Sequence, residues 1–152
     1  MTHNFFVFGT LMYPEIVSGL LGRVPDMAPA TVTGFRRTRI EQPERIARGP
    51  ASYPCDGHSI TGKVVLDLTD EEAALFDLFE NAAGGYERAQ TVAETDRGEV
   101  PVILYVAGEE LQQFLTTEDW SQDDFEANHY DYYVNERVPQ LLDRWRREGL
   151  TH

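Results

Sequence analysis

Two carboxylates one helical turn apart, Asp77 and Glu80, stand at the end of an amphipathic stretch and are followed by Gly84-Gly85 and Tyr86-Glu87-Arg88. Near the start of the chain, Phe5-Phe6-Val7-Phe8 breaks at Gly9 into Thr10-Leu11-Met12-Tyr13. A carboxylate delivered by a helix end can take up and return a proton. A glycine that ends a strand lets backbone approach a ligand closely, and a turn there can aim several N–H donors at one anion. The two segments together suggest an acid/base enzyme. Pattern alone does not make Glu80 catalytic. At 100° per residue it lies about 120° from the centre of the Leu75/Phe76/Leu78/Phe79 stripe, on the flank where glutamates are ordinarily solvated. Acid/base work needs its pKa raised by burial, with Asp77 adding to the rise if both carboxylates point into one cavity.

Other residue types offer less. His3, His58, His129 and His152 are scattered, without the i, i+4 spacing or carboxylate neighbours of a zinc site, so no metal is expected. Cys55 is the single cysteine, which excludes an internal disulfide; no helix start or basic cluster is predicted to activate its thiol. Arg36, Arg37 and Arg39 could bind a carboxylate, but alternation on a solvated strand face explains them more simply. Tyr130, Tyr132 and Tyr133 read as a half-buried helix face.

The positioning elements follow from spacing. The chain has 152 residues, 41% hydrophobic and 26% charged, without an internal repeat or low-complexity linker, and reads as one packed domain over 1–152. A formal charge of −13 repels phosphate backbones and anionic membrane surfaces, which argues against nucleic acid as a partner. No apolar run approaches the ~18 residues of a membrane span and no leader-like segment opens the chain, so a cytoplasmic location is expected. Strands are predicted at 4–8, 30–40 (interrupted at Gly34), 61–68, 86–94 and 100–107, the last apolar on both faces. Helices are predicted at 14–21 and from Thr69 onward, where Thr69 and Glu72 form a capping box. A helical region follows Gly108, capped by Ser121 and kinked or restarted by Pro139. Residues 41–59 carry three prolines and two glycines and read as a long loop, a possible lid. Strands first and helices last give an α+β fold on a mostly β core. Whether that core closes is not legible from spacing.

A resemblance adds to this reading. Phe8-Gly9-Thr10-Leu11 resembles the Tyr-Gly-Ser/Thr-Leu signature of the γ-glutamylcyclotransferase-like superfamily, with Phe at position 8 where the signature has Tyr. Asp77-Leu78-Phe79-Glu80 followed by Tyr86-Glu87-Arg88 is similar to its Asp-x-x-Glu…Tyr-x-Arg segment. Tyr53-Pro54, Thr61-Gly62-Lys63-Val64 and Tyr105 are similar to further elements, and the stretch around Trp120 is closest to the AIG2-like branch. The resemblance implies a small mixed β-barrel flanked by helices, with a helical C-terminal region. It also implies release of 5-oxoproline from a γ-glutamyl small molecule by a monomer or homodimer without a cofactor. By the same resemblance Glu80 is the catalytic acid/base, and Phe8, Gly9, Thr10, Leu11, Met12, Tyr13, Tyr86 and Tyr105 bind substrate. The alternative is a non-catalytic binding or signalling module that keeps the cavity.

Overall fold

The computed structural model describes residues 2–41, 50–81 and 85–148. Five strands, β1 (His3–Val7), β2 (Met27–Thr38), β3 (Ala51–Leu68), β4 (Tyr86–Thr95) and β5 (Gly98–Ala107), form a closed barrel in the order β1-β3-β2-β4-β5. Every pairing is antiparallel except the closure, where β1 meets β5 in parallel at Phe5↔Ile103. Alternation along the chain explains why Phe5 to Phe8 is an unbroken apolar run. Phe6 and Phe8 point into a cluster built from strands alone, with Val32, Ile60, Val64 and Leu104, which is the barrel interior. Phe5 and Val7 point outward into a second cluster shared with the helices.

Within the loop expected over 41–59, residues 51–59 are strand instead: β3 begins at Ala51, and Ala51 and Ser52 are fully buried. The chain-breaking residues are absorbed rather than avoided. Thr33 pairs with Ser59 and Phe35 with Pro54, so Cys55, Asp56, Gly57 and His58 bulge out opposite the single residue Gly34. Both Gly34 and Gly57 sit at φ +84, the left-handed region that such a bulge demands and that a Cβ disfavours. Cys55 therefore belongs to a strand bulge, and the rest of the expected lid, 42–49, lies outside the described residues.

Helix α1 (Pro14–Leu21) follows a 3-10 turn at Thr10–Met12, and α2 (Asp70–Asn81) follows β3 directly. The capping box forms: the Glu72 N–H donates to Thr69 Oγ1 at 3.2 Å and the Thr69 N–H donates to Glu72 Oε1 at 3.0 Å. Arg23, just beyond α1, donates through Nε and Nη2 to the same carboxylate at 2.6 and 2.7 Å. One glutamate thus fixes both the start of α2 and its approach to α1, while Ala73, Phe76 and Phe79 bury the inner face.

After the short α3 (Glu109–Gln112), the C-terminal region runs as α4 (Gln122–Asn128), α5 (Tyr130–Tyr132), a π-helical turn at Tyr133–Arg137 and α6 (Val138–Arg147). Ser121 caps α4 by accepting the Asp124 N–H at 3.1 Å. Pro139 lacks an N–H and its ring crowds the carbonyl four residues back, and the widened turn before it relieves that conflict. No helix among the described residues is long and apolar enough to cross a membrane.

The Arg23 fork holds the Glu72 carboxyl below its usual range, so its contribution is full above the unfolded-state pKa near 4.3 and fades as pH falls through the lower folded value. Glu72→Gln should cost about 1–2 kcal/mol at pH 7, a figure discounted because Arg23 is 46% exposed. Urea denaturation at pH 7 and near pH 3.5 should show the gap shrinking at the lower pH; an equal gap at both assigns it to packing.

Candidate active site

Where β1 ends, the barrel and the helical layer leave a cleft of about 580 Å³ including its open mouth. Phe6 to Leu11 line one wall, Phe79 and Glu80 come from the end of α2, Tyr86 and Tyr105 from β4 and β5, and Tyr133 and Arg137 from the π-helical turn. Glu80 is half-buried because it faces this space, and no hydrogen bond or ion pair reaches its carboxyl from the described residues. Burial pushes its pKa up to about 8, and the negative charge of Asp77 adds to the rise.

Asp77 serves a different end. Its two oxygens accept Nε and Nη2 of Arg88 at 2.9 and 2.7 Å, and Oδ1 also accepts the Tyr105 hydroxyl. The Tyr105 ring stacks on Phe5 with centroids 5.8 Å apart, and the Arg88 guanidinium lies 5.5 Å from the Phe5 ring centre. Burial and the Asp77 hydrogen bond raise the Tyr105 pKa, keeping its hydroxyl protonated. Asp77 and Arg88 therefore lock one tyrosine wall of the cleft.

At the opposite lip the Met12 N–H closes the 3-10 turn onto the Gly9 carbonyl at 3.0 Å. The first N–H groups of such a turn have no acceptor within it. Gly9 is required there by contact. A Cβ built on it would lie 2.4 Å from Pro50 Cδ, and the Pro50 carbonyl in turn accepts the Tyr86 hydroxyl at 3.1 Å.

Residues 5–122 match the family described as Gamma-glutamyl cyclotransferase, AIG2-like. The chain belongs to this family. Among relatives, AIG2-like protein C of Arabidopsis thaliana is 34% identical over 122 residues, covering 80% of this chain and 61% of the relative. The chain thus spans about three fifths of the length of that curated relative. Two solved structures share the fold. One titled Gamma-glutamyl cyclotransferase has a TM-score of 0.63 at 12% identity over 95% of this chain and 99% of that one. A yeast gamma-glutamyl cyclotransferase specific to glutathione has a TM-score of 0.55 at 14% identity, over 93% and 86%.

Of the residues the AIG2-like resemblance singles out, Phe8, Gly9, Thr10, Leu11, Glu80, Tyr86 and Tyr105 meet in the cleft. Met12 and Tyr13 do not. Met12 is buried in the helical cluster with its carbonyl on Lys63 Nζ at 3.1 Å, and Tyr13 packs on Phe125 and donates its hydroxyl to Glu126 at 3.0 Å. Phe8 packs beside Phe6 with ring centres 6.1 Å apart. The arginines in and just after β2 are partnered, not simply solvated. Arg37 forks onto Asp119 at 2.8 and 3.0 Å, lies 5.5 Å from the Trp120 ring centre and donates to the Phe8 carbonyl at 2.9 Å. Arg39 pairs with Glu118, and Arg36 donates to the Thr117 carbonyl at 2.6 Å. Together they strap residues 117–120 across β2 and tie that strap to the cleft wall.

Sequence reasoning did not anticipate Pro50, Tyr133 or Arg137 in the lining. Pro139 was the available signal for the last two, because the helix must widen just before it.

A folded-state carboxyl pKa above the unfolded value means that the folded chain binds the extra proton between about pH 4.3 and 8, so stability falls as pH rises through that window. Glu80→Gln removes the penalty. Its melting temperature should match wild type near pH 4.5 and exceed it increasingly toward pH 8 in differential scanning calorimetry; parallel curves would place Glu80 in ordinary solvent.

Proposed function

We propose that this chain is a γ-glutamyl cyclotransferase in which Glu80 moves the proton between the attacking and leaving nitrogens. The observation that carries this reading is an unpaired carboxyl of raised pKa facing a glycine turn in one cleft. The partner implied is a small γ-glutamyl compound, and no cofactor enters the chemistry.

The α-amine of such a substrate attacks its own γ-carbonyl carbon. An N–C bond closes a five-membered ring, and the bond from that carbon to the leaving nitrogen breaks. The nucleophile is already tethered, so the protein's first task is to hold the chain folded for attack, which positioned reactants repay by several kcal/mol. The rigid walls at Tyr105, fixed by Asp77, and at Gly9, pinned by Pro50, suit that task. Backbone N–H groups at Gly9, Thr10 and Leu11 supply donors for the α-carboxylate, which lets a strongly acidic chain bind an anion through local dipoles. The ammonium must lose a proton to attack, and the departing nitrogen must gain one. A carboxyl with a pKa near the working pH can accept the first proton and deliver it to the second site, each transfer worth about 10²–10⁴-fold. Glu80 meets that condition, whereas Glu72 is held below the usual carboxylate range by its arginine fork and the oxygens of Asp77 are already taken by Arg88.

The reading predicts 5-oxoproline release from at least one of glutathione, γ-glutamyl amino acids and γ-glutamyl amines, measured by mass spectrometry. Glu80→Gln should lower kcat by about 10³-fold or more while remaining folded. In wild type kcat/KM should rise with pH to a midpoint near 8. Saturable binding without 5-oxoproline from any of the panel would instead support a binding module.

Gly9→Ala should raise KM more than it lowers kcat, because its Cβ must displace Pro50 and open the turn. Unchanged KM in a folded variant would remove the turn from substrate binding.

A further inference from the structure

Cations are scarce in this chain, with 13 lysines and arginines against 26 acids, and most of the described ones are committed. Arg23, Arg37, Arg39, Arg88, Arg97 and Arg144 each pair with a carboxylate, and Arg36 donates to the Thr117 carbonyl. Arg146 and Arg147 are exposed on α6. Arg137 differs from all of these. It is half-buried and lines the cleft, and its guanidinium has no hydrogen-bonded or ion-paired partner among the described residues. It forms no ion pair with Glu80 either.

We propose that Arg137 determines substrate preference by holding a carboxylate on the leaving half of the γ-glutamyl compound. This rests on the cyclotransferase reading of the cleft. The glutamyl end is assigned to the turn after β1, and the scissile carbonyl must lie at Glu80 on α2. Arg137 belongs to a third element, the π-helical turn of the outer helical layer, where the remaining half of the ligand is left to meet it. A partly desolvated guanidinium with free donors matches a carboxylate in shape and charge. The leaving amine is therefore of the amino-acid class rather than a simple alkylamine.

Two probes isolate that contact: γ-glutamyl-alanine and γ-glutamyl-alaninamide, which differ only in the terminal carboxylate. Wild type should favour the acid by about 10–100-fold in kcat/KM. Arg137→Gln should erase the preference, lowering kcat/KM on the acid about 10–100-fold more than on the alaninamide, and Arg137→Lys should retain part of it. Equal kcat/KM in wild type, a preference that survives Arg137→Gln, or an equal loss on both probes would overturn the proposal and leave the cyclotransferase reading standing. If wild type releases 5-oxoproline from neither probe, that reading fails for this class, and calorimetric binding to Glu80→Gln and Glu80→Gln/Arg137→Gln decides the anion site separately. Tighter binding of the acid that disappears with Arg137→Gln supports it; no carboxylate-dependent binding refutes it. Should Arg137→Gln unfold, the same comparison with Arg137→Lys, which keeps charge and loses the fork, carries the test.

Discussion

Burying one carboxyl without a cation beside it among the described residues is the constraint around which this fold arranges its site. Helix α2 presents three acids with three fates. Glu72 caps the helix start and is forked by Arg23; Asp77 is forked by Arg88 and accepts the Tyr105 hydroxyl; Glu80, one turn later, receives neither arginine. The first two have their oxygens occupied and fix the helix and the cleft wall. The third faces the cleft with its proton affinity raised by burial and by the neighbouring charge. Desolvating an unpaired carboxyl costs stability, and burial of Phe5, Phe76 and Phe79 in the core offsets that cost.

The barrel closure places the other half of the site. Strand β1 lies between β3 and β5, holding Phe5 against the Tyr105 ring on one face and Phe6 and Phe8 in the barrel interior on the other. The strand therefore cannot shift without disturbing both clusters. The turn at Gly9 follows directly from its end, pinned by Pro50 and by the Arg37 donor on the Phe8 carbonyl. Positioned groups of this kind lend themselves to a reaction whose nucleophile is already tethered, because geometry supplies much of its barrier reduction.

Much of this was legible in the sequence where local rules govern. The Thr69/Glu72 capping box, the helix over 14–21, the break at Gly34 and the apolar strands at 4–8 and 100–107 all report short-range chemistry, and each stands in the fold. What failed was long-range. Residues 51–59 looked like a loop because prolines and glycines are counted locally, whereas the partner strand accommodates them in a bulge opposite Gly34. Closure through a single parallel contact leaves no trace in spacing. The helical-wheel position of Glu80 suggested a solvated flank, since a wheel cannot show that tyrosines from β4, β5 and the π-helical turn arrive over that flank. Arg137 was missed for the same reason.

Everything proposed for the cleft rests on Glu80 being a protonated, cleft-facing acid near neutrality. The most direct measurement is a pH titration of the glutamate side-chain carboxyl resonances in ¹³C-labelled protein, with Glu80 assigned by its loss in Glu80→Gln. A midpoint close to 8 is expected for that resonance, well above the usual carboxylate range. A midpoint near 4.5 would contradict it, because a carboxyl that ionises like a solvated one can neither hold nor return a proton at the pH where the reaction must run.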